Sequence, residues 1–315
     1  MTQSAELPGL SVVICTMRQS PHLADAMLSV ERQTYRNWEV ILLESGVDSG
    51  VGEIPFPDEK LRRIRTKPES LCAARNRGAA LARSPLVAFL DDDDRWLPEK
   101  AAAQVELMAS RPDVGMCHTQ CNFIDEQGCV VSPGRSEATN YEDMLAGAWA
   151  ACVSSMVFRR DAIFAVGGGD PSYRGCGDMD LLFKIARRWP IHFFPEALAE
   201  YRIYAANTSR AYRFQQYSEA RDILHAHRRH AVVADNSRWV RLANKGISDV
   251  DYHYANRERR EIVGHLANRR YRRALGQLPT FAAFTFFRTF DAICKPRART
   301  STGDSDRSDV ATADI

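Results

Sequence analysis

No stretch of the 315-residue sequence approaches the roughly 18–20 uninterrupted apolar residues that a bilayer span requires. The nearest, residues 278–287, is about half that length and is closed by Arg288. Paired cysteines are lacking too. The eight cysteines, Cys15, Cys72, Cys117, Cys121, Cys129, Cys152, Cys176 and Cys294, form no Cys-x-x-Cys motif and have no histidine at zinc spacing. That scatter argues against a disulfide scaffold or a zinc centre and fits a reduced cytosolic chain. Residues 1–9 carry no basic segment followed by an apolar run, so no secretory leader is expected. Asn207-Thr208-Ser209 is then a chance match to a glycosylation acceptor. An excess of one charge is also missing: 42 Lys+Arg against 40 Asp+Glu leave +2, which is not the basic balance of a protein that coats nucleic acid.

What is present is core material. With 45% hydrophobic and 26% charged residues, the chain can fill a globular interior, and disorder or a collagen-like architecture is excluded. At about 100–200 residues per domain, the length suggests one large domain with an appendage or two modest ones. The near-neutral total hides an asymmetry: residues 205–299 hold 19 Lys/Arg against 8 Asp/Glu, leaving an acidic body ahead of them. Solvated helix faces explain such a basic portion, and a surface that meets anionic lipid or a charged acceptor is the alternative.

Residues 10–15 (LSVVIC) form a short β-branched apolar run, followed by Ser20 as N-cap and Pro21 at the first helical position. The spacing predicts a helix to about Gln33 with Leu23, Ala26, Met27 and Val30 on one face. Residues 38–43 and 61–65 read as strands, 69–82 as a helix, 86–90 (LVAFL) as a strand and 98–110 as a helix. Strands alternating with helices call for a parallel sheet covered on both faces. Later strand candidates are 114–122, 128–131, 154–158, 192–194 and 198–202, with a helix over 179–188 and helical periodicity over 209–273. Residues 297–315, rich in Ser, Thr, Asp and Arg, read as a disordered tail.

The clearest chemistry is Asp91-Asp92-Asp93-Asp94 at the carboxyl end of an apolar strand, where open α/β sheets bind ligands. Four adjacent carboxylates repel, so a compact fold must give them a cation or wide solvation. A hard divalent ion shared with a substrate phosphate is one solution. An EF-hand is excluded because Trp96 and Ala102 stand where Gly and Glu are needed, and an Asp-x-Asp-x-Thr phosphatase because Arg95 replaces the Thr.

Taken in order, Ser11-Val12-Val13-Ile14-Cys15-Thr16, residues 29–38, Ala74-Arg75-Asn76-Arg77-Gly78 and residues 87–98 (VAFLDDDDRWLP) resemble glycosyltransferase family 2. The likeness continues through Arg159-Arg160-Asp161, Gly167-Gly168, Asp178-Met179-Asp180-Leu181 and Tyr201-Arg202, over about the first 210 residues. The resemblance implies a GT-A, Rossmann-like α/β fold, a mostly parallel sheet flanked by helices. It also implies an inverting, metal-dependent enzyme using a nucleotide-sugar donor of the UDP or dTDP type. By the same likeness, Thr16, Glu44, Arg75, Asp91 and Asp92 contact the donor nucleotide, Asp93 holds Mn²⁺ or Mg²⁺, and Asp178 is the general base. The acceptor would be a saccharide or lipid-linked hydroxyl in cell-surface polysaccharide or glycolipid synthesis, with no nucleic-acid partner. The chain departs from the pattern at several positions: Glu44-Ser45 replace Asp-Asp, Gly177 replaces a Glu, Tyr204 stands where a His is frequent, and Cys15 replaces a frequent Pro.

Trp96 and Tyr204 are further candidates for acceptor or diphosphate contact, and Trp149 for the acceptor cleft; core packing is the alternative for each tryptophan. His225, His227 and His230 read as residues of a surface helix. Phe281, Phe284, Phe287 and Phe290, amid Arg269, Arg270, Arg272, Arg273, Arg288 and Lys295, fit either packing or an interfacial helix touching the inner face of the membrane. The expected organisation is a catalytic domain over 1–208, a helical C-terminal extension over 209–296 and a tail over 297–315, in a cytoplasmic protein. Two rival readings are a catalytically impaired nucleotide-sugar-binding module and a sugar-1-phosphate nucleotidyltransferase. The second lacks its usual glycines, since residues 15–18 read Cys-Thr-Met-Arg.

Overall fold

A computed structural model describes residues 7–17, 20–46, 56–134, 138–148, 152–204 and 212–267, together with residues 277 and 282. The chain forms two compact units, Met1–His253 and Tyr254–Ile315. Among the described residues, no helix is long and apolar enough to cross a membrane. The phenylalanine stripe over 281–290, its flanking cations from Arg269 to Lys295, the tail, Trp149, Cys294 and Asn207–Ser209 lie outside the described residues.

The apolar runs become the centre of a nine-stranded sheet in the order β3-β2-β1-β4-β8-β6-β9-β5, with β7 paired to β6. Strands β1 (Leu10–Thr16), β2 (Trp38–Ser45), β3 (Leu61–Thr66) and β4 (Leu86–Asp91) are mutually parallel. The side chains of β1 are buried throughout, as a strand covered on both faces requires. Helix α1 (Leu23–Glu31) connects β1 to β2 and buries Leu23, Ala26, Met27 and Val30, the face its spacing predicts. Helix α2 (Leu71–Leu81) connects β3 to β4 and is capped by Ser70, whose Oγ accepts from the Ala73 amide at 3.2 Å. Gly78 of α2 lies so close to β1 that a Cβ there would collide with the Val13 side chain, so this helix needs glycine to reach the sheet.

The other half of the sheet is mixed rather than mostly parallel. It contains β5 (Arg95–Trp96), β6 (Met116–Ile124), β7 (Val130–Pro133), β8 (Met156–Arg159) and β9 (Ile191–Arg202). Strand β8 runs antiparallel to β4 and β6, and β9 runs parallel to β6 and antiparallel to β5. The two late strands expected from the sequence are one strand. Its register against β6 slips where Phe194 pairs with Thr119 and Ala197 with Gln120, so Pro195 and Glu196 bulge out of the ladder that proline cannot join.

Helices α3 (Lys100–Ser110), α4 (Tyr141–Leu145), α5 (Arg160–Ala165) and α6 (Gly177–Ala186) accompany these strands. Helix α7 (Arg213–Val233) follows, and α8 (Ser237–Ala267) begins after a turn in which Asp235 takes a φ of 51°. The first compact unit runs past residue 208 and includes α7. His227 of α7 is not on a surface: its ring packs 4.9 Å from that of Phe183 on α6, and its Nδ1 meets the Tyr141 hydroxyl at 2.8 Å. Burial pushes its imidazole down to about 3, so it stays neutral there. In the second unit, Arg257 and Gln277 both reach Glu261.

Candidate active site

Parallel strands end side by side, and their registers bring the candidate donor residues together. Thr16 of β1 pairs with Glu44 of β2, and Cys15 pairs with Asp91 of β4. Beyond Asp91 the chain turns, with the Asp94 amide bonded to the Asp91 carbonyl at 3.2 Å. The four carboxylates then divide. Asp94 points inward and is completely buried, its Oδ2 accepting from Ser154 Oγ at 2.6 Å and its Oδ1 from the Arg202 amide at 3.0 Å. Burial pushes its carboxyl well above the ordinary range.

The other three face different partners. Asp91 Oδ1 accepts from Arg75 Nη2 at 2.5 Å, Asp92 Oδ2 from Thr16 Oγ1 at 2.6 Å, and Asp93 Oδ2 from the Tyr204 hydroxyl at 2.9 Å. Mutual repulsion in the run is thus eased by one buried acid, one guanidinium and two hydroxyl donors. The buried Arg202 fastens the turn from below: Nε donates to the Asp93 carbonyl at 2.8 Å and Nη1 to the Glu126 carbonyl at 2.9 Å. Asp94, Ser154 and Arg202 were not singled out as site residues from the sequence. Four identical letters do not reveal which acid turns inward, and Ser154 reaches the turn from a short helical turn ahead of β8 and Arg202 from the end of β9.

Glu44 is fully buried at the end of β2, with Arg63 Nη2 at 3.0 Å and Arg65 Nε at 3.5 Å from its carboxylate. Both arginines project from the neighbouring β3, where Arg65 is the register partner of Glu44. A longer acid is accommodated here because the adjacent strand supplies two cations.

Arg75 joins the strand ends to α6. Its Nη2 holds Asp91 while its Nη1 lies 3.8 Å from Asp178 Oδ2, and its side chain is only 10% exposed. The Asp178 side chain, 34% exposed, lies in the first turn of α6, with Oδ1 accepting from the Met179 amide at 2.8 Å. Burial raises its carboxyl above the usual range, against the pull of Arg75. The Asn76 side chain pins the glycine break at its far end, donating to the Gly169 carbonyl at 2.7 Å and accepting from the Gly169 amide at 3.0 Å. Neither nearby thiol offers a thiolate: burial pushes Cys15 up to about 12 and Cys72 up to about 11.

Trp96 is a core residue rather than a cleft residue. It is 4% exposed, its indole N–H donates to the Ser154 carbonyl at 2.7 Å, and the Lys100 ammonium covers its ring. The junction of strand and helix buries it under the acidic turn. Tyr204 does reach the site, beside Asp93 and edge-on to the ring of His22 at 5.3 Å.

A parallel half-sheet with an acidic turn at its carboxyl edge, joined to a mixed half, defines the class of GT-A-like nucleotide-sugar transferase folds. A mannosyltransferase from Pyrobaculum calidifontis, solved with GDP-Man and Mn²⁺, shares this fold with a TM-score of 0.60 and 15% identity, covering 91% of this chain and 85% of that one. Residues 11–164 match the model of glycosyl transferase family 2, so the chain carries a domain of that family. An uncharacterized glycosyltransferase of Nostoc sp. is 28% identical over 215 residues, 63% of this chain and 66% of its own length. A Bacillus subtilis glycosyltransferase named for teichuronic acid biosynthesis, TuaG, is 25% identical over 207 residues, 62% of this chain and 79% of its own. The chain spans between 20% and 66% of the length of three curated relatives it matches.

Proposed function

We propose that the protein is an inverting, metal-dependent glycosyltransferase that moves a sugar from a UDP- or dTDP-type donor to a hydroxyl of a saccharide or lipid-linked acceptor. The observation that carries this reading is the buried guanidinium of Arg75 between Asp91, on the donor side, and Asp178, on the acceptor side. Asp178 takes the proton of the acceptor hydroxyl, whose oxygen forms a bond to the anomeric carbon from the face opposite the leaving group. The bond from that carbon to the diphosphate breaks, and its electron pair leaves with the nucleoside diphosphate. Thr16, Glu44 and Asp92 line the nucleoside end, and Arg75 adds positive charge near the departing phosphate.

Among the described residues, no three His, Cys, Asp or Glu side chains make a metal cage. Asp93, whose carboxylate lies beside the Tyr204 hydroxyl, would hold a hard divalent ion through oxygen. When bound, such an ion supplies charge stabilisation to the leaving diphosphate. The name of the B. subtilis relative supports a role in cell-surface polysaccharide synthesis. A cytoplasmic site of action, and contact of the basic C-terminal helices with the inner face of the membrane, complete the reading.

Thermal stabilisation by UDP, dTDP, GDP and CDP, each with and without Mn²⁺, tests the donor half. GDP belongs in the panel because the P. calidifontis neighbour holds GDP-Man. Ligands that bind only the native state raise the melting temperature by mass action. The expected result is a Mn²⁺-dependent rise with UDP or dTDP that Asp93→Asn abolishes. No rise with any pair would contradict the donor assignment.

A further inference from the structure

The amino-terminal end of α6, which carries Asp178, is held by a residue far along the chain. Glu219 of α7 is buried, and its carboxylate accepts from three successive main-chain amides: Arg174 at 2.8 Å, Gly175 at 2.8 Å and Cys176 at 2.9 Å. Gln215 Nε2 adds a fourth donor at 2.9 Å and fixes the carboxylate from its own helix. The segment is moulded onto α7 elsewhere too. A Cβ on Gly175 would lie 2.5 Å from Gln216 Cγ, and Cys176 Sγ bonds to the Gln216 carbonyl at 3.4 Å.

The position beside Asp178 cannot supply such an acid itself. A Cβ on Gly177 would lie 2.6 Å from both Cβ and Sγ of Cys72, because α2 passes directly against α6 at that point. Helix starts leave main-chain N–H groups unsatisfied and a partial positive charge on the first turn. That field favours an ionised Asp178 and weakens it as a proton acceptor. A second carboxylate at the same end occupies the preceding amides, opposes the field and anchors the backbone two residues from Asp178.

We infer that Glu219 is a positioning residue for Asp178, fixing the 174–176 segment and setting the helix-end field in which Asp178 accepts the acceptor's proton. This rests on the reading of Asp178 as the base. The other groups around Asp178 are Arg75 and Cys72 on α2, Asp91 on β4, and Cys176 and the Asp180–Lys184 pair at and beyond its own helix start. Glu219 differs from them in reaching Asp178 through the main chain on which Asp178 is mounted.

Glu219→Gln keeps the shape and removes the charge. The assay follows nucleoside diphosphate release from the sugar nucleotide whose base the melting panel selects, with water as acceptor and the full chain as enzyme. The expected result is a kcat lower by about 10- to 100-fold, with donor KM and the nucleotide-induced melting shift within about twofold of wild type. The acid limb of kcat should move to lower pH, because the helix field then acts unopposed on Asp178. An unchanged kcat, or a loss shared equally by KM and the melting shift, would overturn the inference. Should Glu219→Gln not fold, Gln215→Ala removes one donor to Glu219 without touching the main chain. It should lower kcat in the same direction by about 2- to 5-fold, on the scale of one hydrogen bond, and an unchanged kcat would overturn the inference equally. Asp178→Asn, run alongside, separates the two claims. If it keeps turnover, the base assignment fails and the role of Glu219 with it; if it loses turnover while Glu219→Gln does not, only the Glu219 inference fails.

Discussion

The two carboxylates at the centre of the site are mounted in different ways. Asp93 stands on a turn fastened by a buried acid and a buried arginine, Asp94 and Arg202, within the sheet. Asp178 stands on the first turn of a helix whose start is fastened from outside the sheet by α7. The proposed donor end is therefore carried by the strands themselves. The proposed acceptor end depends on a helix that follows the last sheet strand in the chain.

Cutting the fastening on the strand side should have the largest effect on stability. Arg202→Met leaves the Asp93 and Glu126 carbonyls without their buried donor, at a cost on the order of 3 kcal/mol by the scale of charge-assisted hydrogen bonds. Urea unfolding should show the loss as a lower midpoint with an unchanged slope, together with a weakened Mn²⁺-dependent nucleotide shift. Arg75→Lys tests the bridge between the two ends. An ammonium is a point charge that cannot hold Asp91 and face Asp178 through separate nitrogens. Turnover should fall about 10- to 100-fold while the melting temperature of the unliganded protein changes little. The smallest effect is a displacement in pH. Asp178 must be ionised to accept a proton, so activity rises as pH passes its pKa. Burial raises that pKa above the ordinary 3.8, so the acid limb of the kcat profile should lie above that value. A limb at or below 3.8 would mean that Arg75 outweighs burial.

Much of the strand-side arrangement was legible in the sequence because its signals are local. The run over 86–90 followed by four acids announces a buried strand with chemistry at its end, and the α1 face at Leu23, Ala26, Met27 and Val30 follows from helical spacing alone. Partners that meet through the fold were not legible. The inward turn of Asp94 depends on Ser154 and Arg202, which lie 60 and 108 residues away. Trp96 could have faced a sugar or the core, and only the packing of Lys100 and Ser154 decides for the core. The mixed half of the sheet was underestimated because short antiparallel strands and a bulged β9 leave no clean alternation. Gly177 looked like the loss of an acid beside Asp178; the space it leaves is filled by α2, and an acid arrives 42 residues later in sequence.

The role proposed for Asp178 is proton transfer at a site whose nucleotide contacts are made elsewhere. It is tested most directly by comparing wild type and Asp178→Asn for donor turnover and for the Mn²⁺-dependent melting shift on the same preparations. Turnover should fall by about 10²- to 10⁴-fold while the nucleotide shift persists. Turnover that survives in Asp178→Asn would contradict it.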